Sequence, residues 1–169
     1  MIKKILFIST IIAATSNISI AATSYVGGSL GVTNPGVSRG KVQAGSIGKL
    51  FGGYGSIFGV NENIYLGGEL NLDIAHYPYD SGTTYGLGAS FIPGVMLTDC
   101  SMLYGRIGIQ ANRNTQASRI HTGDQLGFGL QTRLSQNWDI RPEYVYLSNV
   151  HGDKSGNGQL NLGLVYKFD

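Results

Sequence analysis

The residues best placed to do chemistry are charges set at alternate positions inside otherwise apolar stretches. They are Glu69, Asp73, Arg106, Arg133, Arg141, Glu143 and Lys167. Carboxylates and guanidiniums gathered on one face would pair into a structural network, with Glu143 or Glu69 facing the arginines. Poised less tightly, the same charges would form a switchable gate for small ions. If they are enclosed they must pair or stay hydrated, because an unpaired buried charge costs several kcal/mol. The other reactive groups are scattered. His76, His121 and His151 fall in separate polar stretches, where solvated histidines are the expectation. Ser148, His151 and Asp153 lie close in sequence, yet one polar loop commonly holds such residues without catalysis. Cys100 is the one cysteine, so no internal disulfide can form, and no basic neighbour is visible in the sequence to activate it.

What must position the charges is a set of strands. Side chains alternate faces along a strand, so apolar residues at every second position mark a half-buried one. Leu66, Leu70, Leu72 and Ile74 share a face, with Glu69, Asn71 and Asp73 on the other. The same alternation sets Leu103, Ile107 and Ile109 against Arg106 and Gln110, and Trp138, Ile140, Tyr144 and Tyr146 against Asp139, Arg141 and Glu143. Eight such segments follow: 25–33, 49–60, 65–77, 84–97, 102–112, one around 125–134, 138–148 and 158–168. Pro93 predicts a bulge or a local break in pairing within the fourth. Glycines 52, 53, 55 and 59 blur the alternation of the second.

Twenty-six glycines against four prolines, most of the glycines inside the alternating segments, ask for something beyond side-chain packing to hold the strands. Closure into a barrel, with every backbone group paired, supplies it. The predicted connections are longer after the odd strands and shorter after the even ones, as in outer-membrane barrels with short periplasmic turns. Tyr25, Tyr65, Trp138, Tyr166 and Phe168 mark one set of strand ends, and Tyr77, Tyr79, Tyr85 and Tyr146 the other. Two aromatic bands are the girdles of two membrane interfaces. The expected fold is therefore all-β: an eight-stranded antiparallel up-and-down transmembrane β-barrel. A soluble barrel would reverse its facing, with leucines inside.

The first residues support export. Met1-Ile2-Lys3-Lys4, an apolar run from Ile5 and the small residues Ser19-Ile20-Ala21-Ala22 have the pattern of a secretory signal peptide, cleaved after Ala21 or Ala22. The expected organisation is a signal peptide over residues 1–22 and one barrel domain over 23–169. Of twelve Lys and Arg, two (Lys3 and Lys4) lie in the leader, which leaves ten against ten acidic residues. The formal charge of +2 on the whole chain thus argues for no nucleic-acid partner.

The motif Arg141-Pro142-Glu143-Tyr144-Val145-Tyr146 and the ending Leu162-Gly163-Leu164-Val165-Tyr166-Lys167-Phe168 resemble the opacity-type, outer-membrane-protein-A-like small barrels. The resemblance implies a bacterial outer-membrane location, outer-membrane lipid as surroundings and insertion by the barrel-assembly machinery. It also implies an aromatic last residue, and here Asp169 follows Phe168. The outer loops would be roughly 34–48, 78–83, 113–123 and 149–157. Arg39, Lys41, Arg113, Arg119 and Lys154 fall there and suit the phosphates of lipopolysaccharide, although plainly solvated loops would hold the same residues. An extracellular ligand or host surface is the remaining partner class.

An enzymatic alternative rests on Tyr146-Leu147-Ser148-Asn149, which is similar to the His-x-Ser-Asn stretch of outer-membrane lipid A deacylases. Ser148 and Asn149 match. Tyr146 stands in place of the general-base histidine and cannot readily accept the serine proton, and Gln159 and Leu160 stand where the acid would follow. No catalytic residue, metal or cofactor is expected. Gly52-Gly53-Tyr54-Gly55 is not a dinucleotide loop, because no helix follows it. The expected function is a non-enzymatic role in envelope structure or surface interaction, with a narrow ion-conducting porin as the other alternative.

Overall fold

The computed structural model describes residues 22–34, 37–38, 41–42, 44–58, 63–76, 83–115, 120–149 and 156–168. Eight of its strands form the barrel: β1 (Ala22–Asn34), β2 (Gly45–Phe58), β3 (Ile64–His76), β4 (Thr83–Thr98), β5 (Ser101–Asn114), β6 (Ile120–Arg133), β7 (Trp138–Asn149) and β8 (Asn157–Phe168). Each pairs antiparallel with its chain neighbours, and β8 returns to β1 to close the ring. Val37–Ser38 and Lys41–Val42 pair only with each other, outside the ring. Residues 1–21 of the expected signal peptide lie outside the described residues, and Ala22 belongs to β1 and pairs with Ser56.

The register climbs as it goes round. Leu30, in the middle of β1, is opposite Gly48, which is opposite Ile74; Tyr85, Arg113 and Ile120 continue the series to the first residue of β6. That stagger is what tilts strands when a sheet closes.

Alternation decides the facing. Leu30, Leu50, Leu70, Leu87, Leu126 and Leu160 all point outward, with Leu30 76% exposed. Glu69, Asn71, Asp73, Arg106, Gln110, Gln125, Arg141, Glu143, Gln159 and Asn161 point inward and are buried. An apolar wall round a polar interior suits lipid outside and is the inverse of a soluble barrel.

β6 begins at Ile120, inside the stretch expected as an outer loop, and β2 departs from its expected bounds as well. β2 begins at Gly45 rather than Lys49, so Lys49 is an interior residue of the strand and faces the lumen, 3% exposed. The short side chains and glycines around it hide the alternation in the sequence. Pro93 breaks the ladder, as anticipated, but only toward β5, where pairing passes from Phe91↔Ile107 to Gly94↔Tyr104 with the register kept. Toward β3 it stays opposite Leu66. Pro142 does the same in β7, paired with Leu162 on one side and leaving a gap between Gly129↔Glu143 and Thr132↔Ile140 on the other. A proline lacks one N–H and so loses one neighbour's bonds. The register shift lies nearer the turn, between Met96 and Thr98.

The glycines have a packing role that composition hides. A Cβ on Gly53 would lie 2.4 Å from the ring of Tyr25, one on Gly27 the same distance from Phe51, and one on Gly129 the same distance from the Tyr104 hydroxyl. Inward glycines are the sockets in which inward aromatics lie. Tyr25 is thus not a girdle residue but a lumen residue, 4% exposed, and Tyr65 also turns inward, against Ile92, Met102 and Tyr104. The girdle at that end consists of Trp138, Tyr166 and Phe168, packed edge to face with centroids 5.1 and 5.2 Å apart. At the other end Tyr85 and Tyr146 remain outward, while Tyr77 and Tyr79 lie outside the described residues.

Candidate functional site: the charged lumen

An eight-stranded barrel is just wide enough inside for side chains to fill it. Here the filling is ionic. Arg106, from β5, reaches two carboxylates at once: its Nη2 donates to Glu69 Oε1 and its Nε to Glu143 Oε1 at 2.7 Å. Its remaining nitrogen, Nη1, donates to Ser90 Oγ at 3.1 Å. Arg141, from β7, donates through Nη1 to Glu69 Oε2 at 2.5 Å, and through Nε and Nη2 to Gln131 Oε1 at 2.9 and 2.6 Å. Glu69 therefore joins two guanidiniums across the barrel.

Hydroxyls complete the carboxylates. Tyr25 Oη donates to Glu69 Oε2, and Tyr104 Oη to Glu143 Oε1, each at 2.9 Å. The rings of Tyr25, Phe51 and Tyr104 surround the Arg141 guanidinium, with centroids 5.1, 4.8 and 5.2 Å from its Cζ. A guanidinium over ring faces is attracted by their quadrupoles and shielded from water.

Two extensions run from this centre toward the mouths. Toward the mouth where β1 begins and β8 ends, Gln131 Nε2 donates to Asp139 Oδ2 at 2.5 Å, and Lys167 Nζ pairs with Asp139 Oδ1 at 3.1 Å. Toward the other mouth, Ser90 donates to Gln125 at 2.7 Å, Gln125 Nε2 to Gln110 Oε1, and Gln110 Nε2 to Asn112 Oδ1 at 2.7 Å. Lys49 stands apart, its Nζ 3.8 Å from Asp73 Oδ2 and 4.0 Å from Glu143 Oε2, in Coulombic range but beyond a hydrogen bond. Asp73 also accepts from Asn71 Nδ2 at 2.9 Å. Among the described residues the ion pairs are thus made by Lys49, Arg106, Arg141 and Lys167 with Glu69, Asp73, Asp139 and Glu143, four charges of each sign.

Of the charges singled out in the sequence, Glu69, Asp73, Arg106, Arg141, Glu143 and Lys167 lie along this lumen. Arg133 does not join them: it is exposed, at the rim of the same mouth as Lys167. It is the last residue of β6, where the ladder stops and its guanidinium meets solvent. Lys49, Asp139, Tyr25 and Tyr104 join the network without being singled out for it in the sequence. Asp139 shares the alternation of Arg141 and Glu143, and that signal would have found it. The same alternation puts Tyr104 on the face of Arg106 and Tyr25 on the face opposite Val26 and Leu30, and the glycines beside them leave room for their rings.

Of the outer-loop cations, Arg113 is described; it is exposed and points outward at the end of β5, opposite Tyr85. Lys41 lies in the short outer ladder, and Arg39, Arg119 and Lys154 lie outside the described residues. His76 and His121 are exposed in β3 and β6. Tyr146 faces outward, and its ring covers Gly156, where a Cβ would lie 1.8 Å from the hydroxyl.

In architecture the chain is similar to Ail, the attachment invasion locus protein of Yersinia pestis, solved in complex with the heparin analogue sucrose octasulfate. That likeness has 19% identity, covers 87% of this chain and 97% of Ail, and has a TM-score of 0.56. Neisserial surface protein A is similar at 20% identity over 88% of this chain and 99% of that one, with a TM-score of 0.62. The outer membrane enzyme PagL is similar at 13% identity over 84% and 98%, with a TM-score of 0.57. At these identities the likeness is one of fold. No curated protein matches the sequence. Residues 5–168 match the outer membrane protein beta-barrel domain family, and with a closed eight-stranded barrel, an apolar wall and an ionic lumen, the chain belongs to that family of the bacterial outer membrane.

Proposed function

We propose that this protein is a closed, non-enzymatic barrel that serves the outer membrane as a structural element and as a platform for its outer loops. The observation that carries this reading is the bridge from Arg106 and Arg141 to Glu69, which joins β5, β7 and β3 across the lumen. Buried ion pairs completed by Tyr25, Tyr104 and Gln131 favour a fixed plug over a gate, since moving either arginine would strand a carboxylate. Planar-bilayer recordings of the purified barrel test this. Silence or brief, small events are expected, and large steady conductance would overturn the plug.

The outer surface is then where a partner is met. Arg113 faces outward opposite Tyr85, which belongs to the aromatic band expected at the level of the lipid headgroups. With Arg39, Lys41, Arg119 and Lys154 it would engage the phosphates of lipopolysaccharide, or a sulfated or phosphorylated polyanion on a host surface. The complex of Ail with a heparin analogue supports this choice of chemistry. Replacing the five cations by glutamine should weaken binding to lipopolysaccharide and to heparin; unchanged binding to both would remove the idea. Export through a cleaved signal peptide and insertion by the barrel-assembly machinery belong to the same reading.

One observation favours keeping the deacylase reading for test. Ser148 is opposite Asp124 at the outer rim, on the same face as Tyr146, in a fold shared with PagL. Tyr146, at the place of the general-base histidine, packs on Gly156. Lipid A from cells with and without the protein should carry the same acyl chains.

A further inference from the structure

Apart from Met1, every sulfur in the chain belongs to Met96, Cys100 or Met102. All three line one cavity of about 150 Å³ at the mouth where β1 begins and β8 ends. Met96 and Met102 are direct cross-strand partners on the inward face of β4 and β5, and Cys100 lies in the Asp99–Cys100 turn that joins those strands. The turn is pinned: the Cys100 N–H donates to Thr98 Oγ1 at 3.3 Å, and its carbonyl accepts from the Arg133 N–H at 2.8 Å. Cys100 itself is exposed and unpaired to any other cysteine.

The geometry points to a soft-metal site, in which the Cys100 thiolate and the thioethers of Met96 and Met102 bind one monovalent copper or silver ion at the periplasmic mouth. Soft sulfur donors select Cu(I), and sulfur-rich sets of low coordination number suit a monovalent d¹⁰ ion. Among the described residues no cluster of three His, Cys, Asp or Glu could hold a harder ion. Charge argues the same way. Binding displaces the thiol proton, forms the S–Cu bond and leaves thiolate plus Cu(I) neutral, while the thioethers add only lone pairs. Arg133, Lys167 and Asp139 line the same cavity, the last two paired at 3.1 Å, so a dication on the one thiolate would leave a positive centre beside the Arg133 guanidinium. Met102 sets its sulfur against Gly94, 3.1 Å from where a Cβ there would be, and its flexible side chain leaves the sulfur free to turn toward the others.

The test uses the purified full barrel in detergent, without oxygen, and Cu(I) supplied as its coloured bicinchoninate complex. One Cu(I) should pass to each chain. C100S should abolish transfer, and M96L and M102L should each weaken it by roughly tenfold or more. Heat-modifiable mobility in gels reports that every variant is folded. Failure of the native barrel to take Cu(I) would overturn the site. So would binding that M96L/M102L leaves unchanged, which marks a thiol acting alone, or one metal shared by two chains.

Discussion

Arg141 and Glu69 meet across the full width of the barrel, Nη1 to Oε2 at 2.5 Å, although seventy-two positions separate them in the chain. Glu69 is held at the same time by Arg106 and by the Tyr25 hydroxyl. The carboxylate is therefore the keystone, and its removal leaves two buried guanidiniums short of a partner. Glu69→Ala should destabilise the barrel by about 3–5 kcal/mol, read from urea unfolding in lipid vesicles. Replacing the looser Lys49–Asp73 pair whole, as K49M/D73L, should cost less than about 1 kcal/mol or stabilise. Equal losses in the two cases would contradict the hierarchy inferred from the distances.

Arg133 offers the contrast to Arg106. Both are arginines at lumen-facing positions, but Arg133 is exposed at the rim and Arg106 is 1% exposed with three side-chain partners. Arg133→Ala should shift stability by no more than roughly 0.5 kcal/mol, as surface changes do. Arg106→Ala should cost several times that, measured in the same unfolding series.

Removing both large guanidiniums also tests closure. The R106A/R141A barrel, if it passes the gel-mobility criterion for folding, should show steady bilayer conductance where the native protein does not. A double variant as silent as the native chain would mean that the amide ladder of Gln125, Gln110 and Asn112 seals the lumen by itself.

The glycine sockets predict a position-specific pattern. Gly53→Ala sets a methyl against the Tyr25 ring and the Gly68 carbonyl, whereas a Cβ at Gly68 meets nothing within 4 Å. Gly53→Ala should lose about 1–3 kcal/mol by overpacking, and Gly68→Ala should be neutral or gain up to about 1 kcal/mol through the unfolded chain. Thermal and urea unfolding of the two variants would separate them.

Trp138 is the one tryptophan, so its fluorescence reports a single depth. It packs on Tyr166 at the girdle end of β7. Lipids brominated near the headgroup should quench it more strongly than lipids brominated at the chain ends. The reverse order would displace the membrane boundary from this girdle.

The sequence by itself determined the class of the fold, the number of barrel strands and, outside β2, which face carries the leucines and which the charges. The reason is local: a period of two is written residue by residue, and the aromatic bands at the strand ends, rather than the alternation, point to lipid outside. β2 escaped because glycines carry no side chain to show the period, and with it went Lys49. What only the tertiary structure decided is who meets whom inside. Glu69, Arg106, Arg141 and Glu143 come from four segments, and their contacts depend on the stagger of the closed ring, which no single strand encodes. The inward turn of Tyr25 and Tyr65 was decided there too. A tyrosine at a strand end reads as a girdle residue until the glycine across the barrel wall is seen to leave room for its ring.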